Sequence, residues 1–216
     1  MVLKAFLCLS PYTNECLHLL DEGLSIEAVD KAMLKKGFPV GPITLLDEVG
    51  LDIAAHVTES SRAFAEAKPG FTVNNAVVRM NADGRKGKKN NNGFFNYNEK
   101  GKKAGVDQSA YKYFKGNGDK TLDITEIQDR GVMLMLNEAV LCLEEGIIAN
   151  PTDGDLAAVF GIGFLPFTGG PFRMIDAMGV ENVVNRMNDL TTKYGERFTP
   201  AKSLVEMAKQ GEIFHD

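Results

Sequence analysis

The sequence predicts an all-α chain of two tandem helical subdomains related by a rough pseudo-twofold and joined by a basic Gly/Asn-rich linker. Three observations carry this expectation. A set of motifs occurs twice: Asn14-Glu15-Cys16 followed by Glu22-Gly23 returns as Asn137-Glu138-Ala139 followed by Glu145-Gly146. Gly41-Pro42, Asp47 and Gly50 likewise return as Gly170-Pro171, Asp176 and Gly179, with five residues from Pro to Asp and three from Asp to Gly in each block. Apolar residues recur at helical spacing, and no stretch sustains the two-residue alternation of a strand. Capping residues and glycines punctuate the chain where helices start and stop. Two copies are too few for a solenoid; they fit a duplicated domain whose halves pack as a homodimer's subunits do.

Taken in order, Leu9, Tyr12, Cys16 and Leu20 make one apolar stripe of a first helix. Gly23 stops it, and Ser25 opens the next before Ile26-Glu27. Gly41-Pro42 reads as a rigid turn entering a helix, and Leu46, Val49, Ile53 and Val57 repeat the spacing of the first stripe. Residues 83–105 shift in composition, with Arg85, Lys86, Lys88, Lys89, Lys100, Lys102 and Lys103 among five Gly and five Asn. So much turn chemistry predicts a mobile loop or linker, with Gly93-Phe94-Phe95-Asn96-Tyr97 able to dock as a short extended segment. Beyond it, Asp123 with Glu126 suits a helix start, and Val132, Leu136, Val140, Leu143 and Ile147 form a longer stripe ending near Gly146. Thr152, and Thr199 before Pro200, mark further helix starts. The expected domains are 1–105 and 106–216.

Hydrophobic residues make up 44% of the 216 and charged residues 25%, an ordinary globular composition. With 24 basic and 29 acidic residues, the net charge of −5 gives no global attraction to nucleic acid or anionic membrane. The three cysteines, Cys8, Cys16 and Cys142, sit in apolar helical patterns and read as buried thiols of a reducing compartment. The short apolar start before Pro11 lacks a signal peptide's core and cleavage site. No stretch is apolar enough to span a membrane. A soluble, cytoplasmic protein is expected.

Two groups of residues resemble a known family. Phe38-Pro39-Val40-Gly41-Pro42, then Leu45 to Asp52, resembles the carboxyl-terminal domain of 3-hydroxyacyl-CoA dehydrogenases, and Asp83 to Lys89 with Gly93-Phe94-Phe95 resembles the segment closing that domain. The second copy, from Asn137-Glu138-Ala139 through Gly161-Ile162-Gly163-Phe164, Gly169-Gly170-Pro171-Phe172-Arg173 and Asp176, resembles the degenerate second domain of the multifunctional α subunit of fatty-acid oxidation. The resemblance implies a helical fold like the carboxyl-terminal domain of 6-phosphogluconate dehydrogenase. It also implies a parent chain with an enoyl-CoA hydratase/isomerase domain and a Rossmann domain upstream. There an L-3-hydroxyacyl-CoA is oxidised to the 3-ketoacyl-CoA with transfer of hydride to NAD, on a His–Glu base of the Rossmann domain, and a thiolase subunit is the usual partner. No Gly-x-Gly-x-x-Gly follows a strand in this chain; Gly161-Ile162-Gly163-Phe164-Leu165-Pro166 lacks the third glycine. The family's substrate-binding Asn, in its Gly-Phe-x-x-Asn-Arg segment, falls on Phe6, with Leu7 in place of the Arg. No catalytic residue is therefore carried over, and this chain alone is expected to be inactive and to bind no NAD.

Other candidates weigh less. Glu15 and His18 have the spacing of a di-iron ligand pair, but Leu141 stands opposite His18 in the repeat. Asp52 and His56 are helical neighbours without a third ligand, and His215 lies near the chain end, so no metal is expected. Asp47 and Asp176 are candidate carboxylates, with a helix-tying role favoured over catalysis because both copies keep them. The lysine segment reads as solvated, with CoA phosphate contact second and nucleic acid last. Phe38, Pro39 and Pro42 are the candidate substrate-binding residues, lining an acyl cleft against the domain not present. Two functions follow: a fragment contributing the cleft half of an NAD-dependent dehydrogenase, or a non-catalytic helical module for assembly with thiolase.

Overall fold

The structure, a computed structural model, describes residues 2–215, with side chains from Leu9 onward; the side chains of Phe6, Leu7 and Cys8 lie outside the described residues. The first copy runs as α1 (Val2–Asp21), α2 (Ile26–Lys36), α3 (Pro42–Val49), α4 (Leu51–Glu66) and α5 (Ala76–Ala82). Two short strands follow, β1 (Phe95–Tyr97) and β2 (Lys103–Val106). The second copy runs as α6 (Ile124–Glu144), α7 (Pro151–Ile162), α8 (Pro171–Met178), α9 (Val180–Tyr194) and α10 (Lys202–Gln210). Helix order is the same in both.

By contacts, one unit gathers Thr13–Lys68 and Thr72–Gln128, and the other gathers the chain from Asp129 onward with Pro69–Phe71 and the residues before Thr13. In the former, Cys16, Leu19 and Leu20 of α1, Val29 and Met33 of α2, and Ile43 of α3 form the core, and α4 packs along α5. Residues 106–128 lie with this unit: Tyr111 accepts the Ile26 N–H through its hydroxyl at 2.9 Å, and the Lys120 N–H reaches the Gly23 carbonyl at 2.9 Å. In the other unit, Val132, Leu136 and Val140 of α6 are buried with Phe172 and Ile175 of α8 and Val183 and Met187 of α9. Among the described cysteines, Cys16 and Cys142 are both buried free thiols.

Most start and stop signals hold locally. Ser25 Oγ accepts the Ala28 N–H at 3.1 Å, and Gly23 and Gly146 take positive φ. Three expectations are corrected. The stripe Leu46, Val49, Ile53, Val57 is not one helix face: Gly50, at φ 104, separates α3 from α4, and Val49, Ile53 and Val57 are exposed. Asn150, not Thr152, caps α7, its side chain accepting the Asp153 N–H with Pro151 as the first helical residue. Thr199 does not open α10, which starts at Lys202. Its carbonyl is instead an acceptor for Asn137.

That asparagine carries the repeat in atomic detail. Asn14 donates to the Thr72 carbonyl at 2.9 Å and accepts the Asn74 N–H at 2.8 Å. Asn137 donates to the Thr199 carbonyl at 3.1 Å and accepts the Ala201 N–H at 2.8 Å. In each copy one buried amide of the first helix thus satisfies the chain just before the fifth. Asn14→Ala and Asn137→Ala each remove both bonds and strand a buried N–H, so each is expected to cost about 2 kcal/mol. Urea unfolding measures it; a loss below about 0.5 kcal/mol in both contradicts the role given to these side chains.

Candidate functional site

The Gly41-Pro42 turn is built from a carboxylate the sequence reading did not single out. Asp30, on the buried face of α2, accepts the Ile43 N–H at 2.8 Å, the Thr44 N–H at 3.2 Å and the Thr44 hydroxyl at 2.5 Å. It caps α3 from outside, where Gly41 has no side chain to do so. The approach is close: a Cβ on Gly41 would lie 2.3 Å from the Asp30 carboxyl carbon. Thr44 also accepts the Lys103 ammonium at 2.5 Å, and that ammonium sits 3.9 Å over the Phe95 ring.

Asp47 lies one turn further along α3 and is fully buried. Its two oxygens accept the Phe94 N–H at 2.9 Å, the Phe95 N–H at 3.0 Å and the Tyr97 hydroxyl at 3.0 Å. The basic segment is therefore no solvated linker, which corrects the composition-based expectation. Its lysines stay exposed while Arg85, Phe94 and Phe95 are buried, and β1 pairs antiparallel with β2. Arg85 closes the segment from within, donating to the Gly93 carbonyl at 2.7 Å and pairing with Asp107 at 2.8 Å. Asp47 ties this extended segment rather than a neighbouring helix.

Burial pushes the carboxyls of Asp30 and Asp47 up, against the hydrogen bonds and the Lys103 charge that favour their ionised forms. Burial and the Asp47 charge also hold the Tyr97 hydroxyl protonated far above its usual range. These acceptors and donors are engaged with one another, so the cluster's chemistry is structural. It clamps α2, α3 and the closing segment together.

The second copy repeats the clamp with other partners. Asp155 accepts the Phe172 N–H at 2.8 Å, and a Cβ on Gly170 would lie 2.3 Å from its carboxylate. Asp176 accepts the N–H groups of Phe214 at 2.9 Å and His215 at 3.0 Å. The Asp30–Asp155 match was hidden in the sequence because a turn at Pro166–Thr168 lengthens the second copy between aspartate and Gly-Pro.

Among the sequence-named site residues, Phe38, Pro39 and Pro42 share the turn between α2 and α3. Phe38 follows the left-handed Gly37 and is buried, Pro42 is buried at the first position of α3, and Pro39 faces solvent. His18 bonds the Thr72 carbonyl at 3.0 Å. Asp52 pairs with Lys89 at 2.6 Å, and His56 is exposed. Among the described residues, no group of three or more His, Cys, Asp or Glu side chains is placed to hold a metal ion.

The model of the 3-hydroxyacyl-CoA dehydrogenase C-terminal domain matches residues 7–97 and again 127–214. The chain belongs to this family. Its match in two segments coincides with the duplicated helix order and clamp. The fold is similar to 3-hydroxybutyryl-CoA dehydrogenase from Escherichia coli K12 substr. MG1655, with 20% identity and a TM-score of 0.70 over 94% of this chain and 58% of that one. It is also similar to the dehydrogenase part of multifunctional enzyme 1 from C. elegans, with 22% identity and a TM-score of 0.68 over 94% of this chain and 47% of that one. The chain thus spans about half the length of these dehydrogenases. No described helix is long and apolar enough to cross a membrane.

In this family domain the clamp makes a specific prediction. Asp47→Asn keeps the shape but turns an amide donor toward one of the N–H groups of Phe94 and Phe95. A loss of about 2 kcal/mol or more is expected, with faster amide exchange at Phe94 and Phe95. Unchanged exchange there in the variant excludes the clamp.

Proposed function

We propose that this chain supplies the helical, substrate-facing half of an NAD-dependent L-3-hydroxyacyl-CoA dehydrogenase of fatty-acid β-oxidation in the cytoplasm. The single observation that carries the reading is the family match in both copies. Residues of this chain do not fit NAD itself. A pyrophosphate cradle needs a glycine-rich turn between a strand and a helix, and here β1 and β2 form a hairpin with no Gly-x-Gly-x-x-Gly anywhere. Cofactor and base therefore belong to a Rossmann domain, with a hydratase domain before it in the parent. The helical part acts by shape: it presents an ordered, apolar turn to the acyl-CoA. Phe38, Pro39 and Pro42 are that turn, and Asp30 holds it, so positioning rather than proton transfer is the contribution.

A second reading is a non-catalytic scaffold that binds a thiolase subunit. It is favoured by Phe160 and Phe167 of the second copy, which are 84% and 72% exposed.

Two measurements separate these readings. The purified chain with 3-hydroxyacyl-CoA and NAD is expected to form no NADH. Joined to a family Rossmann domain it is expected to turn over, and Pro39→Glu is expected to raise KM about tenfold with little change in kcat. Activity of the isolated chain, or a fused enzyme indifferent to Pro39→Glu, overturns the first reading. Thiolase binding by the chain alone, abolished by Phe160→Ser with Phe167→Ser, establishes the second.

A further inference from the structure

We propose that the outer face of α4 is a seam on which a second molecule of this chain docks, its own α4 antiparallel to the first, to form a twofold dimer. The face is built by spacing. Ile53, Val57, Ser60, Phe64 and Ala67 follow one another at alternating steps of four and three residues, the interval that keeps a stripe along one side of a helix pair. All five are exposed, and Ile53, Val57 and Phe64 stand 47%, 48% and 45% in water. Leu51, Ala55 and Ala65 are the buried residues of α4, which packs along α5 and against α3. Ala67 follows the last residue of α4 with a helical φ of −71, so the stripe runs on to it. In the middle of the face, Ser60 Oγ and Ser61 Oγ both donate to the Val57 carbonyl, at 3.1 and 2.7 Å. Both hydroxyl protons are thus engaged within the helix, which lowers the cost of taking this face out of water.

The duplication shows that the fold does not require this face. α9 holds the corresponding place in the second copy, and the same five positions there are Asn182, Arg186, Asp189, Lys193 and Glu196. One helix face is apolar in the first copy and charged or polar in the second. Each chain therefore carries the seam once, and a seam that pairs with itself closes at two molecules.

The stripe is symmetric about Ser60, and that symmetry selects the occupant. With a twofold axis at Ser60, Ile53 faces Ala67 of the other chain, each seven residues from the axis, and Val57 lies beside Phe64, three and four residues away. The largest side chains are staggered rather than opposed, and the small serine sits where the helices cross. Charge follows the same symmetry. Asp52 and Lys68 are each eight residues from the axis, so a carboxylate of one chain meets an ammonium of the other at both ends of the pair. Within its own chain Asp52 is held by Lys89 at 2.6 Å, and Lys68 stands 4.8 Å over the Phe64 ring, beside the seam. A parallel pair would instead set Asp52 against Asp52 and Phe64 against Phe64.

One helix pair is a small interface, so sedimentation equilibrium of the full chain is expected to give a dissociation constant of about 1–100 µM. The variant Val57→Arg with Phe64→Lys gives α4 the residues that α9 carries. It is expected to weaken association by about tenfold or more, with unchanged circular dichroism. Ser60→Cys is expected to form a disulfide-linked dimer on mild oxidation, because residues at the axis bring their Cβ atoms together. Asp189→Cys, at the matching place on α9, is expected to stay uncrosslinked. A wild-type chain that remains monomeric up to about 500 µM overturns the proposal. So does a dimer that Val57→Arg with Phe64→Lys leaves unweakened, or one in which Ser60→Cys crosslinks no more than Asp189→Cys. None of these readouts uses turnover, so their outcome stands apart from the dehydrogenase reading.

Discussion

In each copy, a buried aspartate that accepts backbone N–H groups from a distant part of the chain is what the rest of the arrangement leans on. Asp30 and Asp47 do this in the first copy and Asp155 in the second, where the half-buried Asp176 accepts N–H groups likewise. Taking a carboxylate out of water is costly, and is tolerated only where donors replace the lost water. That requirement dictates the neighbours. Gly41 and Gly170 must lack a Cβ because the carboxylates of Asp30 and Asp155 occupy that space. Gly93 is excluded from bearing one by Asp47, whose oxygen would lie 2.1 Å from it.

The same interactions explain why so short a pair of strands exists in a helical protein. A three-residue strand has little stability of its own. Asp47 supplies what the hairpin lacks, holding its N–H groups and the Tyr97 hydroxyl at the buried edge of α3. The surrounding lysines remain in water, where Lys88 and Lys89 meet Glu48 and Asp52. Exposed pairs of this kind contribute little; the buried acceptor decides the path of the chain.

Function follows from what such a frame can and cannot do. A clamp whose donors and acceptors are mutually engaged has no proton to offer a substrate. It can hold an apolar turn such as Phe38-Pro39 still. The second copy has kept the clamp but changed its outside: exposed Lys35 of α2 is matched by Phe160 on α7, and the added turn presents Phe167.

The sequence by itself determined the helical class, the duplication and the family. Asn14/Asn137, Gly-Pro and Asp47/Asp176 keep their spacing because each spacing lies within one helix or one turn, where geometry is local. It also read Gly93 to Tyr97 correctly as an extended piece able to dock. It misread residues 83–105 as a linker, because lysine, glycine and asparagine describe the surface of that segment and not the Asp47 oxygens beneath it. It joined Val49 to Ile53 and Val57 across Gly50, since periodicity does not register a left-handed residue. Asp30 and Asp155 were out of reach, as their partners lie across turns of unequal length. Only tertiary structure brings a carboxylate to a distant N–H, because that pairing is set by three-dimensional packing and leaves no fixed interval along the chain.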